Sequence, residues 1–299
     1  MKVFVTGATG FIGRHVCKKL VERGFDPIAI TEPGIDTAGI SCSESLSVDL
    51  CKIDEVQKAI RPEADMLIHL AAIIPKELND PRNDEIAKIN LQIDKNVFSV
   101  CSKAGIGVVF ASSASVYGWE GTEIKTEDSK ATPTDFYAKA KLQSESLGKK
   151  YFATKNAPFT SLRIAAPYGC GQRFKTVMHI FIERAIKDQP LLYYGTGSRQ
   201  QDFVNIGDVA EAFVIAVEKR KSGTFNIASG KPVTMKQLAE TIIKCIPGSR
   251  SVIKAASIED PQEKFTALFN IDKAKKELGW TPKVTLEKGI ADLADKLKS

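Results

Sequence analysis

The chain has 299 residues, of which 43% are hydrophobic and 26% are charged, as is typical of one large globular domain or two small ones. No apolar run approaches the roughly 20 residues of a membrane-spanning helix, and the chain enters a strand at once, which argues against a secretory signal. The formal net charge of +6 comes partly from lysines near the C-terminus, and it predicts a solvated basic helix face more readily than a nucleic-acid surface.

The six cysteines are scattered and form no Cys-x-x-Cys pair, and the three histidines are isolated from one another. This pattern lacks the ligand spacing of a zinc site, so we expect no bound metal. It also predicts free thiols rather than a disulfide framework, which favours a reducing cytoplasm.

A glycine-rich turn near the N-terminus is the most informative stretch. Residues 3–5 predict a short buried strand, and the helical periodicity that starts at Phe11 predicts a helix. Between them, Gly7, Gly10 and Gly13 recur at every third position. A strand, a glycine turn and a helix bring backbone N–H groups and the positive end of the helix dipole together, where a dinucleotide pyrophosphate can bind.

The spacing Thr6-Gly-x-x-Gly-x-x-Gly13 resembles that of the extended short-chain dehydrogenase/reductases, the family of nucleotide-sugar epimerases and dehydratases. The resemblance implies an α/β fold, a Rossmann doubly wound parallel sheet with a smaller C-terminal substrate lobe, and an NAD or NADP cofactor. Within the turn it assigns cofactor contacts to Gly7, Gly10, Phe11, Ile12 and Gly13.

Strand and helix patterns alternate in the first half of the chain, which predicts a parallel sheet with right-handed crossovers. The further predicted strands cover residues 27–31, 46–48, 66–72, 107–112 and 159–164, and the further predicted helices include residues 52–61 and 83–103. We expect a dinucleotide-binding domain at residues 1–165 and a substrate-binding lobe at residues 166–299, part of which returns to the first domain.

The end of the second predicted strand bears on the choice of cofactor. An acidic residue at this point usually binds the adenosine ribose, but this chain has Thr31 followed by Glu32. Residues 33–51 contain no Arg or Lys to neutralise a 2′-phosphate, and Glu32 would repel one. The sequence therefore favours NAD over NADP. Arg14 is the one plausible phosphate ligand, although a solvated arginine on the first helix is the simpler interpretation.

The resemblance assigns further cofactor contacts to the ends of the predicted strands and to one helix. They are Thr31, Asp49, Leu50, Leu70, Ala71, Ala72, Asn90, Ser112 and Ile164. In the family, Asp49 would lie beside the adenine and Asn90 would brace the active site. His69, inside the fourth predicted strand, is interpreted as a hydrogen-bonded core histidine rather than as a metal ligand.

Two hydroxyl residues and a lysine form the candidate catalytic set. Ser113 follows the strand over residues 107–112, and ligands of parallel sheets bind beyond this edge. Tyr137 and Lys141 are four residues apart on a predicted helix, so they share one face. An ammonium lowers the pKa of a nearby phenol, which can then exchange a proton with a carbinol. The resemblance makes Ser113, Tyr137 and Lys141 catalytic and adds Tyr137 and Lys141 to the cofactor contacts.

The residues after Ser113 restrict the type of reaction that we expect. Dehydratases of the family carry Asp-Glu at this point, whereas this chain has Ala114 and Ser115, so we do not expect dehydration. The resemblance implies an NAD(P)-dependent enzyme acting on a secondary alcohol or ketone of a sugar-like substrate, most specifically a nucleotide-sugar 4-epimerase. A net ketoreductase or dehydrogenase is the main alternative. A non-catalytic cofactor-sensing or RNA-binding protein is a remote one.

The second half of the chain carries the candidate substrate contacts. The resemblance points to Ser113, Ala166, Arg173, Arg199 and Gln201. Ala166 stands where the family has an Asn, and Gln201 stands where it has an Arg that grips the nucleotide diphosphate. The substrate is therefore either a sugar nucleotide held by Arg173 or Arg199, or a molecule without the diphosphate.

The resemblance also implies a homodimer in which helices near residues 83–103 and 135–157 pair across a two-fold axis. Val97, Val100 and Cys101 have an apolar spacing that is compatible with this interface. Burial within a single chain would explain the three residues equally well.

Overall fold

The protein is described by a computed structural model that covers residues 1–75, 82–118, 121–172 and 174–298. The strands are β1 (Lys2–Thr6), β2 (Asp26–Thr31), β3 (Glu44–Ser47), β4 (Met66–His69), β5 (Gly107–Ser113), β6 (Phe159–Ile164), β7 (Ala166–Tyr168), β8 (Leu191–Tyr193), β9 (Gln200–Gln201), β10 (Phe203–Asn205), β11 (Gly223–Ile227), β12 (Val233–Thr234) and β13 (Ile253–Ala255). The α-helices are α1 (Phe11–Glu22), α2 (Ile53–Ala59), α3 (Asn83–Ala104), α4 (Phe136–Phe152), α5 (Val177–Ile186), α6 (Ile206–Lys219), α7 (Met235–Cys245) and α8 (Leu286–Lys298). Single turns of 3₁₀-helix (Ala114–Tyr117) and π-helix (Ala274–Leu278) complete the list.

The central sheet is parallel and has the strand order β11-β6-β5-β4-β1-β2-β3. Alternate side chains of each strand point to opposite faces. Val3 and Val5 belong to the hydrophobic cluster that contains residues of α1 and α6, whereas Phe4 belongs to the cluster that contains residues of α2, α3 and α4. Both faces of the sheet are thus covered by helices, which confirms the predicted Rossmann doubly wound fold.

The chain beyond β6 builds a smaller cluster of its own. Helices α5, α7 and α8 pack together around Met178, Leu238 and Ile290. Strand β11 leaves this region and pairs with β6 at the edge of the central sheet. Trp280 is fully buried, and its indole N–H donates to the carbonyl oxygen of Asp208 at 2.9 Å, so the last part of the chain is tied to α6.

Several boundaries differ from those predicted. Strand β4 ends at His69 instead of residue 72, because the backbone N–H groups of Leu70 and Ala71 donate to the hydroxyl of Thr6. Helix α4 ends at Phe152 rather than near residue 157. The predicted strands of the first half are nevertheless all present in the central sheet.

The apolar residues of α3 that suggested a dimer interface lie inside the chain. Val97 and Cys101 are fully buried and Val100 is 6% exposed, all within the cluster between α3 and the sheet. They therefore form no outer apolar face for a second subunit. Among the described residues, every helix is too short or too polar to cross a lipid bilayer.

Candidate active site

The glycine turn joins β1 to α1 in a conformation that side chains would disrupt. Gly7 has φ of +66°, and a Cβ atom there would lie 2.8 Å from the backbone nitrogen of Ala71. A Cβ atom on Gly13 would lie 2.2 Å from the carbonyl oxygen of Gly7. Gly10 precedes the first residue of α1 and has no side chain to cap it. The first N–H groups of α1 are thus available to an anion, and the turn fits a dinucleotide pyrophosphate.

The predicted adenosine end of this site lies at the ends of β2 and β3. Thr31 ends β2 and is only 5% exposed, whereas Glu32 is exposed. Arg14 is not the freely solvated arginine that the sequence suggested. Its guanidinium donates to the carbonyl oxygens of Thr9 at 3.2 Å and Ala38 at 3.3 Å, so it ties the glycine turn to the loop after β2.

The remaining predicted cofactor residues lie near the ends of β3, β4 and β6 and on helices α1 and α3. The side-chain amide of Asn90 accepts from the backbone N–H of Ile73 and donates to its carbonyl oxygen, both at 2.8 Å. Asn90 thereby fixes the segment that contains Ala71 and Ala72. Phe11, Ile12 and Leu70 are partly buried residues packed against the core, Asp49 accepts from Cys51 N at 3.0 Å, and Leu50 and Ile164 are buried.

Ser113 ends β5 and lines a cavity of about 200 Å³ between the central sheet and the C-terminal part of the chain. Its hydroxyl oxygen accepts two hydrogen bonds from Ser115, one from the hydroxyl at 2.8 Å and one from the backbone N–H at 3.2 Å. Because both bonds are accepted, the proton of Ser113 remains free to be donated to a bound substrate oxygen. Ser115 thus contacts the candidate catalytic hydroxyl directly.

Tyr137 and Lys141 lie on one face of α4, as their spacing predicted. Asp135 caps this helix by accepting from Ala138 N at 2.8 Å. The ammonium of Lys141, which is 4% exposed, lies 4.6 Å from the ring centroid of Phe110 and 5.7 Å from that of Tyr137. The candidate acid/base group is therefore held beside a buried cation.

Burial and nearby carboxylates oppose the lowering of the Tyr137 pKa that Lys141 was predicted to cause. Burial raises the pKa of the phenol, and the carboxylates of Asp94 and Asp135 raise it further. Burial also lowers the pKa of Lys141, against the opposing effect of Asp94 and Glu145. Burial thus disfavours the charged forms of both side chains, and the stabilising effect of Lys141 on the phenolate stays a prediction.

A buried ion pair supports the residues behind Ser113. The guanidinium of Arg163 binds both carboxylate oxygens of Glu145, at 2.9 and 2.7 Å, and it also donates to the hydroxyl of Tyr117 at 2.9 Å. The hydroxyl of Ser112 donates to the same carboxylate at 2.6 Å. Ser112 is thus bonded to α4 within the core. A sequence signal existed, because Arg163 interrupts an otherwise uncharged buried strand.

The structure brings some of the predicted substrate residues to the cavity but not all of them. Ala166 and Gln201 line the cavity together with Ser113, and so do Phe265 and Phe269, which sequence reasoning missed. Arg199 is engaged elsewhere: its guanidinium lies 3.0 Å from the carboxylate of Asp260 and donates to the side chain of Gln262 at 2.8 Å. Arg173 lies outside the described residues.

His69 is hydrogen-bonded in the core, as predicted. Its two ring nitrogens lie 2.7 Å from the hydroxyl of Thr6 and 2.9 Å from a carboxylate oxygen of Asp94. Within the described ranges, no three His, Cys, Asp or Glu side chains are grouped as a metal site.

Comparison with known proteins places this geometry among related enzymes. The sequence profile described as the NAD dependent epimerase/dehydratase family matches residues 3–228. The dTDP-4-dehydro-6-deoxyglucose reductase of Escherichia coli is 29% identical over an alignment that covers 99% of this chain and 97% of the relative. UDP-glucose 4-epimerase of Thermotoga maritima, solved with UDP-glucose, has a TM-score of 0.87 and 25% identity, covering 100% and 99% of the two chains. UDP-glucuronic acid 4-epimerase of Bacillus cereus, solved with UDP-glucuronic acid and NAD, has a TM-score of 0.87 and 26% identity, with the same coverage.

Proposed function

Because the chain belongs to the NAD-dependent epimerase/dehydratase family, we propose that it is a nucleotide-sugar 4-epimerase. The family's cofactor is NAD, which supplies a hydride acceptor and donor at the carboxyl edge of the sheet. The observation that carries the proposal is the hydroxyl of Ser113, which faces the cavity with its proton free to donate. It lies at the same edge of the sheet as the glycine turn.

Three side chains share the proton chemistry in this proposal. Tyr137 exchanges a proton with the reacting oxygen of the substrate, and Ser113 donates a hydrogen bond that orients the same oxygen. Lys141 places a buried positive charge beside the phenol and stabilises the negative charge that develops when the proton leaves. These three side chains can act in both the oxidation step and the reduction step. An epimerase needs both steps, because its cofactor must return to its starting state.

The surroundings of Ser113 argue against elimination of water. Ala114 and Ser115 follow it, and no described residue that lines the cavity carries a carboxylate. Elimination needs a base that removes a proton from carbon and an acid that protonates the departing hydroxyl. Ser113, Tyr137 and Lys141 suit hydride transfer at a secondary alcohol instead.

A net ketoreductase is the second candidate. Burial raises the pKa of Tyr137, which favours the protonated phenol that a ketone reduction consumes. The relative from Escherichia coli is named as a reductase of a keto-sugar nucleotide. An enzyme of this kind would consume one reduced cofactor for each substrate molecule.

Substrate contacts are part of the proposal. Ala166 and Gln201 support it by lining the cavity, and Ser113 would bind the reacting oxygen. Arg199, which is paired with Asp260, would have to exchange that partner to bind a diphosphate. Arg173 would then be the other candidate cation.

The test uses the protein as purified, with no added cofactor. UDP-glucose, UDP-N-acetylglucosamine and UDP-glucuronic acid are each incubated with it, and the products are followed by proton NMR. We expect one of them to be converted to its 4-epimer, with Tyr137→Phe at least about 100-fold slower because it lacks the proton to exchange. Tyr194→Phe, at an exposed tyrosine, is the matched control and keeps wild-type turnover. Stoichiometric oxidation of added NADH or NADPH with a keto-sugar nucleotide would establish the reductase instead.

We also propose a cytoplasmic homodimer with domains at residues 1–165 and 166–299. The six cysteines are free in the structure, which supports a reducing compartment. The dimer rests on the family resemblance alone, because Val97, Val100 and Cys101 are buried in the chain. Light scattering at micromolar concentration tests it, and a mass near the 32.6 kDa of one chain would refute it.

A further inference from the structure

A chain of buried polar groups runs beneath the active site from the glycine turn to α4. It begins at the hydroxyl of Thr6, which lies 2.7 Å from Nδ1 of His69. Nε2 of His69 lies 2.9 Å from one carboxylate oxygen of Asp94, and the hydroxyl of Ser144 donates to the other oxygen. All four residues are at most 2% exposed. This series of hydrogen bonds therefore links β1, β4, α3 and α4 through side chains alone.

The direction of each hydrogen bond follows from the donors that surround it. The hydroxyl oxygen of Thr6 accepts from the backbone N–H groups of Leu70 and Ala71, each at 3.2 Å, so its own proton goes to Nδ1 of His69. The ring proton of neutral His69 then lies on Nε2 and is donated to Asp94. Asp94 thus receives hydrogen bonds from two neutral groups, and neither of them balances a carboxylate charge.

The other buried charges around α4 identify the cation that balances the carboxylate of Asp94. Arg163 and Glu145 neutralise each other through two parallel hydrogen bonds. Among the described residues, this leaves Lys141 and Asp94 as the buried cation and buried carboxylate at this face of α4. Ser144, which donates to Asp94, lies three residues after Lys141 and shares its helix face.

The ring of Phe110 lies beside Lys141 and also beside His69, the residue that is hydrogen-bonded to Asp94. The ammonium of Lys141 lies 4.6 Å from its centroid, and the ring centroid of His69 lies 5.9 Å from it. Asp94, and after it Glu145, oppose the fall in the pKa of Lys141 that burial causes, and Glu145 is already paired with Arg163. A buried ammonium without a carboxylate nearby would lose its proton instead.

We propose that Asp94 is the counter-ion of Lys141 and a positioning residue for the Tyr137–Lys141 pair, which it ties through His69 to Thr6 of the glycine turn. The carboxylate keeps the ammonium charged in the core, and its bond from Ser144 fixes the helix that carries both catalytic side chains. The inference rests on the proposed function only for the part these side chains play in turnover. The pairing itself can be measured without substrate.

The first experiment is a double-mutant cycle read by urea unfolding. Asp94→Asn is made in the wild type and in Lys141→Met. We expect it to raise the unfolding constant at least about 100-fold in the wild type, where it leaves a buried ammonium unpaired. In Lys141→Met the same change should raise it less than about tenfold.

A second buried aspartate provides the matched control for the double-mutant cycle. Asp208 is another buried aspartate, whose carboxylate accepts from Lys283 N and Val284 N at 3.0 Å. Asp208→Asn should raise the unfolding constant by the same factor in both backgrounds. Equal effects of Asp94→Asn in both backgrounds would overturn the pairing. So would a double variant that fails to fold, because Asp94 would then be needed for something other than Lys141.

The second experiment reads the charge of Lys141 directly. The protein is labelled with ¹⁵N-lysine, the side-chain nitrogen signal of Lys141 is identified by its absence in Lys141→Met, and the signal is followed as the pH is raised. Asp94→Asn should raise the ionisation constant of Lys141 at least about tenfold, because a buried ammonium that has lost its counter-ion gives up its proton more readily. Ser144→Ala loses a hydrogen bond but keeps the charge of Asp94, so the constant of Lys141 should stay within about twofold of wild type. An unchanged constant in Asp94→Asn would contradict the proposal whether or not the protein is an epimerase.

Discussion

The ion pair behind Ser113 gives the sharpest prediction about stability. Glu145 is 1% exposed and Arg163 is 5% exposed, and two parallel charge-assisted hydrogen bonds of 2.9 and 2.7 Å join them. Glu145→Gln keeps the shape of the side chain but removes its charge. The guanidinium of Arg163 is then left buried without a counter-ion, and breaking a buried pair in this way costs about 3–5 kcal/mol.

The assay is equilibrium unfolding in urea, followed by circular dichroism. Wild type and Glu145→Gln should differ by this amount in the free energy of unfolding. The double variant Arg163→Met/Glu145→Leu should lose less than Glu145→Gln alone, because it leaves no unpaired charge in the core. A surface pair provides the control: the side chains of Lys288 and Asp292 are 68% and 52% exposed, and Asp292→Asn should cost less than about 0.5 kcal/mol.

Two results would refute this reasoning. If Glu145→Gln costs no more than Asp292→Asn, then the pair contributes no more than a solvated one. If the double variant loses more than Glu145→Gln, then the hydrogen bonds to Ser112 and Tyr117 matter more than the charge balance.

Three further predictions concern the glycine turn, the cofactor and the last part of the chain. Gly7→Ala should destabilise the protein by at least about 1–2 kcal/mol, because of the positive φ angle, and should abolish NAD binding in calorimetry; unchanged binding would contradict the close approach to Ala71. NAD should bind about tenfold more tightly than NADP, a difference of about 1.4 kcal/mol, with the ratio unchanged in Arg14→Ala; tighter NADP binding that is lost in Arg14→Ala would overturn the preference. Trp280→Phe should cost about 1–3 kcal/mol in urea unfolding, because it removes the indole donor to Asp208 and leaves a cavity; a neutral effect would contradict the described packing.

Sequence patterns predicted the parts of the fold that are set by local spacing. The glycine turn followed from three glycines at fixed intervals, and the family resemblance that it carries is confirmed by the profile match over residues 3–228. Strands β1 to β6 were predicted from short apolar runs, since a strand covered on both faces has few polar residues. Their parallel direction, though not their order in the sheet, followed from the alternation with helices.

The contacts that tune the site join residues far apart in the chain, and spacing does not encode them. Asp94 meets His69 and Ser144 only because α3 and α4 pack against the same sheet. Arg199 forms an ion pair with Asp260, which lies in a separate segment of the sequence. The sequence reveals the lysine next to Tyr137, but it does not reveal the burial that raises the pKa of the phenol.

The central claim is that hydride leaves the sugar and returns to it within one active site that keeps its NAD. The most direct measurement is proton NMR of the epimerisation in heavy water, with purified protein and no added cofactor. The account predicts that the new epimer keeps its hydrogen at the inverted carbon, because the hydride never exchanges with solvent. Deuterium at that carbon, or conversion only when NADH or NADPH is added and consumed, would contradict it.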